Sequence, residues 1–375
     1  MRSNCANLIA TIEQIEITRK LWPDFFDVLY SLITKGEYGE YAPLGALTTL
    51  NEFFKISCRP PLVNHTKRTG TYLQTRDMVF SICFNILSSN STPIYKKLTV
   101  DILYNAIRTS YGTLVLSGFE EVNKQIVTCI LNNFPIPDIQ LHESIYTLTT
   151  QYIKTMYAFI CPSPMDIIFD CFCNDLNPQY PQWRTQMFLQ FIKKVSKIER
   201  ECVEISGIEN KHVTKFMVTK LNPFILTLIS HIDVNNDEDF QSIGIFASEA
   251  LREFCKTAPE VLLEPICNFF IQFYQSQQWE DRYSAFTSMR FIAKCDNDNL
   301  GQLFRQKAGE IANVSLADPH LKVSESAALL FGDLIKYHKL IDDNDQELEE
   351  LGKFVQQLLS LETIRARSGC YIISP

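Results

Sequence analysis

Glycine and proline are scarce in this chain, which has 13 Gly and 16 Pro among its 375 residues. Such a composition excludes collagen-like repeats and an architecture dominated by linkers. Long apolar runs are missing too, because no stretch reaches the roughly 18 uninterrupted apolar residues of a membrane-spanning helix. With 46% hydrophobic and 21% charged residues, the sequence is too apolar for a disordered chain. We therefore expect a folded protein that is not inserted in a membrane.

A surplus of basic charge is also absent. The chain has 35 Lys and Arg against 43 Asp and Glu, which gives a formal net charge of −8. A nucleic-acid-binding protein needs excess Lys and Arg to neutralise phosphates, so we expect no direct nucleic-acid partner. The net negative charge is compatible with a basic protein partner.

Signals of catalysis, metal binding and secretion are missing as well. The twelve cysteines are scattered among apolar neighbours, and only Cys171 and Cys173 are close, at a spacing that differs from a zinc knuckle. The glycines form no phosphate-cradling loop, and the six histidines show no metal-ligand spacing. No charged and then apolar segment of the secretory type opens the chain. We expect a protein of the cytoplasm and nucleus that is not an enzyme and has no metal or cofactor.

Helical periodicity is what the chain does have. Apolar residues recur at three-and-four spacing in many segments, and breakers such as Asn177-Pro178 and Asp318-Pro319 separate them. The predicted first helices of successive pairs lie near 22–34, 75–88, 119–133, 164–173, 214–232, 261–275, 301–316 and 346–360. The predicted second helices lie near 42–56, 93–109, 139–157, 180–204, 240–257, 280–295 and 321–338.

A two-helix unit that recurs about every 40–47 residues is typical of HEAT repeats. The sequence therefore predicts an all-α fold, a single HEAT-repeat solenoid over 1–375, coiled as a right-handed superhelix of antiparallel helix pairs. First helices would form its convex layer and second helices its concave layer. We expect loop insertions at 57–74 and 200–213. Because 7–17 looks like a second helix without a partner, the array is expected to be a piece of a longer one.

An acidic loop over 233–239 is the first candidate site. Asp233, Asp237, Glu238 and Asp239 give four carboxylates within seven residues, which attract a basic surface. The alternative is a solvated turn whose charge favours the N-terminus of the next helix, with Asp239 or Asp237 as its cap.

Trp279 is the second candidate, at the start of a predicted second helix. It is either part of the core or a flat aromatic anchor on the concave face, against which aliphatic stems of Lys or Arg pack. Arg282, six residues after a turn position, is interpreted as a ladder residue that bonds to the preceding loop and stacks one repeat on the next.

A groove between neighbouring first helices of the convex face is the third candidate. Apolar grooves between helices accept aromatic side chains of extended peptides, and simple inter-repeat packing is the alternative. The residues expected to face one another are Val79, Phe80 and Cys83 on one helix and Val122, Gln125 and Ile126 on the next.

The order of these motifs resembles importin-β, from about its third to its tenth HEAT repeat. Trp22-Pro23-Asp24 before an apolar helix resembles the opening of one of its repeats. Further matching segments follow in order: 41–56, Lys97-Leu98, Pro137-Asp138, the acidic loop, Leu263-Glu264-Pro265, Gln278-Trp279-Glu280-Asp281-Arg282 and Asp318-Pro319.

The resemblance implies a nuclear import receptor that binds importin-α or basic cargo on its inner face. It also implies binding of phenylalanine-glycine (FG) nucleoporins on the outer face and release by the GTPase Ran. Carried onto this chain, the adaptor or cargo site comprises Asp233, Asp237, Glu238, Asp239, Phe240, Trp279 and Leu329. The nucleoporin site comprises Val79, Phe80, Cys83, Val122, Gln125 and Ile126.

The chain departs from this family pattern in three places. Val234 and two asparagines dilute the acidic loop, Gln125 stands where an aromatic is usual, and Ser324 replaces a ladder arginine. The resemblance implies that the repeats that make the family's main Ran contact lie outside this chain. Another HEAT-repeat scaffold, such as a sibling karyopherin or a phosphatase regulatory subunit, is the alternative. A generic scaffold of the phosphatase type would need neither the acidic loop nor Trp279, and a sibling karyopherin that loads cargo without importin-α is the nearest alternative.

Overall fold

Helices and turns make up the part of the chain described by the computed structural model, which covers residues 2–16, 24–35, 39, 41–57, 69–109, 119–160, 163–231, 242–295 and 318–338. Within these ranges no strand is present, so the all-α prediction is confirmed. The helices are α1 Arg2–Glu16, α2 Phe25–Thr34, α3 Ala42–Ser57, α4 Thr69–Ser88, α5 Pro93–Thr109, α6 Phe119–Asn133, α7 Ile139–Ile160, α8 Ser163–Phe172, α9 Gln182–Glu204, α10 Val213–Leu228, α11 Ile243–Thr257, α12 Pro259–Phe273, α13 Trp279–Ile292 and α14 Leu321–His338.

Local signals in the sequence explain where several helices begin. Pro93 and Pro259 each occupy the first position of a helix, where the missing N–H is not needed. Asp138 caps α7, since its Oδ1 accepts a hydrogen bond from the backbone N–H of Leu141 at 2.8 Å. A single cap of this kind stabilises a helix by about 1 kcal/mol.

The first unit, Met1–Asn177, contains three antiparallel pairs, α2 with α3, α4 with α5 and α6 with α7. The second helices α1, α3, α5 and α7 pack extensively on one another, and α4, α6 and α8 pack more loosely in a layer of first helices. Aromatic rings fill the interior: Phe25, Phe26 and Phe53 meet with ring centroids 5.0 to 5.8 Å apart. This is the packing expected of stacked HEAT pairs.

The second unit, Pro178–Pro375, repeats the arrangement in its described part. Helix α10 pairs with α11, and α12 pairs with α13. Neighbouring second helices again pack closely, α9 on α11 and α13 on α14. Phe254 and Phe286 are fully buried in this core. The HEAT-type stack predicted from the spacing is thus present in each unit, while the single solenoid over 1–375 stays a prediction.

Two predicted loop insertions are shorter in the structure. Helix α3 includes Ser57 and α4 already begins at Thr69, so 69–74 is helical although its residues are mostly polar. Helix α9 continues to Glu204, which leaves 205–212 as the connection to α10. Glu199 explains this second difference. Its buried carboxylate accepts hydrogen bonds from the backbone N–H groups of Val213 and Thr214, at 2.8 and 2.6 Å, and thereby fixes α9 against the start of α10.

Several predictions can be compared with the structure only in part. The helix predicted at 7–17 is α1, and the helices predicted near 301–316 and 346–360 lie outside the described residues. In the ranges described above, no helix is long and apolar enough to cross a membrane. The same ranges contain no group of three or more His, Cys, Asp or Glu side chains arranged to hold a metal ion.

Candidate partner-binding face

Ion pairs tie together the second helices of the second unit, on the surface formed by α9, α11, α13 and α14, which we call the second-helix face. Lys193 Nζ lies 2.6 Å from Glu249 Oε2, and Arg200 Nη2 lies 3.0 Å from Glu253 Oε2. Both bridges join α9 to α11. Because both partners of the Lys193 pair are about one-third exposed, we expect it to contribute no more than about 1 kcal/mol.

Glu253 is the more buried of the two carboxylates that join α9 to α11, with 8% of its side chain exposed. Burial by itself raises the pKa of Glu253. The hydrogen bond and charge of Lys256, together with the charge of Arg200, outweigh that effect, so the pKa lies below its ordinary value. Glu253 is therefore ionised at neutral pH, and its charge is balanced by two bases.

Between α13 and α14, Asp333 plays the corresponding role. Its Oδ2 accepts from Arg290 Nε at 2.8 Å and lies 3.4 Å from Lys294 Nζ. These bridges hold successive second helices in register, and they neutralise carboxylates that would otherwise stand uncompensated on the face.

Arg282 forms the densest junction of the face. Its Nε and Nη2 donate to the two carboxylate oxygens of Asp318, at 2.6 and 2.9 Å, a bidentate pair. Its Nη1 donates to the backbone carbonyls of Ser276 and Gln277, at 2.7 and 3.2 Å. The hydrogen bonds that Arg282 donates to Asp318 raise the pKa of Arg282. The predicted ladder role of Arg282 is confirmed, and Asp318 is the partner in the next repeat that sequence reasoning did not identify.

Trp279 stands beside this junction, as the first residue of α13. Its indole stacks on the imidazole of His320, with ring centroids 3.6 Å apart and planes 12° from parallel. Asp318 holds the turn that carries His320, because Asp318 Oδ1 accepts from the His320 backbone N–H at 2.8 Å. Trp279 remains half-buried. It is therefore neither a core residue nor an anchor open on both faces.

Burial lowers the pKa of His320 below its ordinary value of 6.5. The charges of Lys322 and Arg282 lower it further, while Asp318 and Glu280 act in the opposite direction. The imidazole on Trp279 is consequently neutral at pH 7.

Leu329 and Ser324 lie on α14, next to this cluster. Leu329 is half-buried, so part of its side chain is accessible. Ser324 is buried, and its hydroxyl donates to the Leu321 carbonyl of its own helix at 2.9 Å. At the position of the missing ladder arginine the structure thus has a bond within one helix instead of a bond to another repeat.

The acidic loop 233–239 and Phe240 lie outside the described residues. The cap of the following helix is described, and it differs from the prediction. Helix α11 begins at Ile243, and Ser242 Oγ accepts from the Ile245 backbone N–H at 3.4 Å. Neither Asp237 nor Asp239 is the residue that caps α11, because the helix starts later than expected.

The predicted nucleoporin groove falls on α4 and α6, which pack against each other. Four of its six residues are buried, with 0 to 3% of their area exposed: Val79, Phe80, Cys83 and Ile126. Their side chains fill the contact between helices and present no surface to a peptide, which corrects the expectation of an open groove at these positions. Burial also raises the pKa of the Cys83 thiol. Val122 and Gln125 are half-buried, and Gln125 donates to Glu121 Oε1 at 3.0 Å.

Comparison with solved structures identifies the fold. The chain superposes on importin β in an ammonium sulfate condition with a TM-score of 0.81 and 13% identity, over 99% of this chain and 42% of that one. It superposes on the Kap95:Nup1 complex with a TM-score of 0.81 and 15% identity, again over 99% and 42%. For Kap121p bound to Nup53p, the TM-score is 0.63 at 12% identity, over 94% and 33%.

The resemblance to importin-β is thus confirmed for the fold, a HEAT-repeat solenoid. The chain spans about two fifths of the length of the importin-β structures, 42% in each of the two cases above. Searches against family models and against curated proteins found no match.

Proposed function

We propose that this chain is part of a nuclear transport receptor of the karyopherin-β type, a binding protein without catalysis that moves between cytoplasm and nucleus. The observation that carries the proposal is the extent of the fold match: 99% of the chain follows importin β at a TM-score of 0.81. An unrelated scaffold of helix pairs would not be expected to superpose on one receptor over the whole length of this chain.

Within this role, the second-helix face of the second unit binds a basic segment, either from importin-α or from a basic cargo. The acidic loop Asp233, Asp237, Glu238 and Asp239 supplies long-range attraction for such a segment. Phe240, Trp279 and Leu329 supply apolar surface for the stems of its Lys and Arg side chains. The half-exposed state of Trp279 and Leu329 supports this assignment.

Nucleoporins and Ran are the other proposed partners. One solved relative is a Kap95:Nup1 complex, and another concerns Kap95p binding to RanGDP. For this chain, nucleoporin binding is proposed at the outer layer of first helices, with Val122 and Gln125 as the members of the predicted set that retain exposed area. Ran binding is proposed for the complete receptor.

Titration of the chain with a Lys- and Arg-rich peptide from the amino-terminal region of importin-α tests the proposal. We expect binding at low salt that weakens strongly as salt is added, because exposed charges are screened over about 8 Å at physiological ionic strength. A peptide of the same length with Lys and Arg replaced by Gln is the control. Absence of binding at low salt, or binding that salt leaves unchanged, contradicts the proposed role.

A further inference from the structure

The stack of Trp279 on His320 is the least ordinary contact of the second-helix face. The rings are nearly parallel, and their centroids are only 3.6 Å apart. They come from the first turn of α13 and from the turn before α14, two segments separated by some forty residues. Parallel stacking at this distance places the imidazole over one face of the indole, so a partner side chain can approach only the other face.

The backbone on both sides of the stack is held by charged hydrogen bonds. Arg282 fixes the loop before Trp279 through the carbonyls of Ser276 and Gln277. The same guanidinium fixes Asp318, which in turn holds the backbone N–H of His320. The backbone segments that carry the two rings are therefore held by the same Arg282–Asp318 junction. Rotation of either side chain would break the stacking contact.

We propose that His320 is a positioning residue for Trp279, which orients the indole so that its free face receives a Lys or Arg side chain of a basic partner. The inference rests on the proposed function, since it assigns a positioning residue to the proposed site for a basic segment. A cation over an indole face is attracted by the ring quadrupole, and the contact strengthens when the ring is already fixed.

The charge of His320 then regulates the site. Four charged groups face its imidazole: Glu280 and Arg282 on α13, Asp318 in the turn and Lys322 on α14. While His320 is neutral, the quadrupole of Trp279 is available to the partner. When His320 is protonated, its own positive charge occupies the covered face and repels a cation on the other. Partner binding should therefore weaken on acidification.

The stack can be tested without any partner, by the fluorescence of Trp279. The emission of a Trp279→Phe variant supplies the background from Trp22 and Trp183, and subtraction isolates Trp279. A protonated imidazole quenches a stacked indole, so we expect Trp279 emission to fall as the pH drops through the pKa of His320. A His320→Phe variant should show no such titration. Emission that titrates equally in both proteins would mean that the stack is absent in solution, and the inference would be overturned.

Binding of the basic importin-α peptide, which must contain no histidine, tests the positioning role. His320→Ala should weaken binding about three- to tenfold, the size of one cation–π contact. His320→Phe, which keeps a stacked ring, should restore most of the affinity and remove its dependence on pH. His212→Asn removes an exposed imidazole of the same unit and should change nothing, because Asn tolerates the left-handed backbone of His212 at φ 57°.

The outcomes separate the two levels of the proposal. Wild-type chain that binds no basic peptide at any pH contradicts the proposed function, and with it the anchor role of Trp279. Binding that His320→Ala leaves unchanged overturns the positioning role alone. Circular dichroism of each variant, with unchanged helicity, establishes that a loss of binding does not come from unfolding.

Discussion

In the first unit, neutral donors bridge neighbouring second helices, whereas in the second unit Lys and Arg donors are added to neutral ones such as the Thr287 hydroxyl. The Asn105 side-chain amide donates to Asn51 Oδ1 at 3.1 Å, and the Ser144 hydroxyl donates to Asp101 Oδ1 at 2.9 Å. At corresponding places, the second unit uses the ion pairs of Arg200 and Lys193. The same helical stack can thus be joined with or without ion pairs, and in the second unit the carboxylates of the second-helix face are paired with Lys or Arg.

Buried polar groups occur in both units, Asp175 in the first and Glu199 in the second. In the first unit, the Tyr146 hydroxyl donates to Asp175 Oδ2 at 2.7 Å, and His142 Nε2 lies 3.6 Å from the same oxygen, all three residues being buried. In the second unit, the Arg282–Asp318 pair lies nearer the surface, beside a half-exposed tryptophan. The Asp175 cluster therefore serves packing, as Glu199 does in the second unit, whereas the Arg282–Asp318 pair lies beside a tryptophan that is partly accessible.

The largest expected effect is in the first unit, where a carboxylate introduced into the buried apolar contact between α4 and α6 would have no partner. Ile126→Asp puts a carboxylate at a position that is 1% exposed, and we expect a loss of about 4 kcal/mol or more of unfolding free energy. Val122→Asp, on the same helix at a half-exposed position, should cost far less. Urea unfolding followed by circular dichroism measures both. Equal and small losses would mean that Ile126 faces solvent, as the groove prediction required.

Removal of the Arg282 guanidinium should have the next largest effect. Arg282→Met leaves Asp318, whose side chain is 5% exposed, without its bidentate partner, and we expect a loss of about 3 kcal/mol. Lys193→Met breaks a pair that is about one-third exposed on each side and should cost below about 1 kcal/mol. A double-mutant cycle with Asp318→Asn measures the coupling directly. A cycle energy near zero would show that the two charges act independently.

Tyr146→Phe should have a smaller effect, and one that is independent of salt. It removes the hydroxyl that donates to the buried Asp175, which costs about 1–3 kcal/mol because an acceptor loses a partner. Raising the salt concentration should not change this loss, whereas it should reduce the cost of Lys193→Met. The measurement is the urea midpoint of both variants at two salt concentrations. If salt changed the stability loss of both variants equally, the distinction between a neutral contact in the first unit and an ion pair in the second would be contradicted.

The smallest expected effect is the pH dependence that His320 gives to folding. Because the pKa of His320 is lowered in the folded chain, the unfolded chain binds more protons in this range, so stability falls as the pH falls. The contribution is complete above the unfolded pKa near 6.5 and is lost as the pH falls through the lower folded value. Since the imidazole is only partly buried, solvent screening keeps the change below about 1 kcal/mol. Comparing wild type with His320→Phe at about pH 7.5 and about pH 5.5 measures it, and identical pH profiles would contradict it.

The fold was predictable because each helix carries its own signals. Apolar spacing and breakers such as Pro93 located most helices to within a few residues, and the repeat length indicated that they stack in pairs. The end of α9 was placed correctly, but the loop expected from 200 onward was not, because the cap provided by Glu199 joins two helices and cannot be detected from local spacing.

The candidate site was less predictable, because it depends on which residues meet across repeats. Trp279 and Arg282 were identified from their own positions, but His320 was counted only as a histidine without metal-ligand spacing. Its stack on Trp279 spans two repeats. The groove prediction failed at Val79 and Ile126 for a related reason: an apolar stripe on a first helix looks the same in sequence whether it faces a neighbour or a peptide.

The acidic loop provides the most direct measurement of the central claim, that the second unit binds a basic partner through this loop and the second-helix face. The variant carries Asp233→Asn, Asp237→Asn and Glu238→Gln, and the melting temperature and the association rate with the basic importin-α peptide are measured on the same samples. Ser242 caps α11, so stability should not depend on these carboxylates. We predict an unchanged melting temperature and slower association, because rim charges mainly set the on-rate. A lowered melting temperature with unchanged association would make this segment a structural turn and contradict the claim.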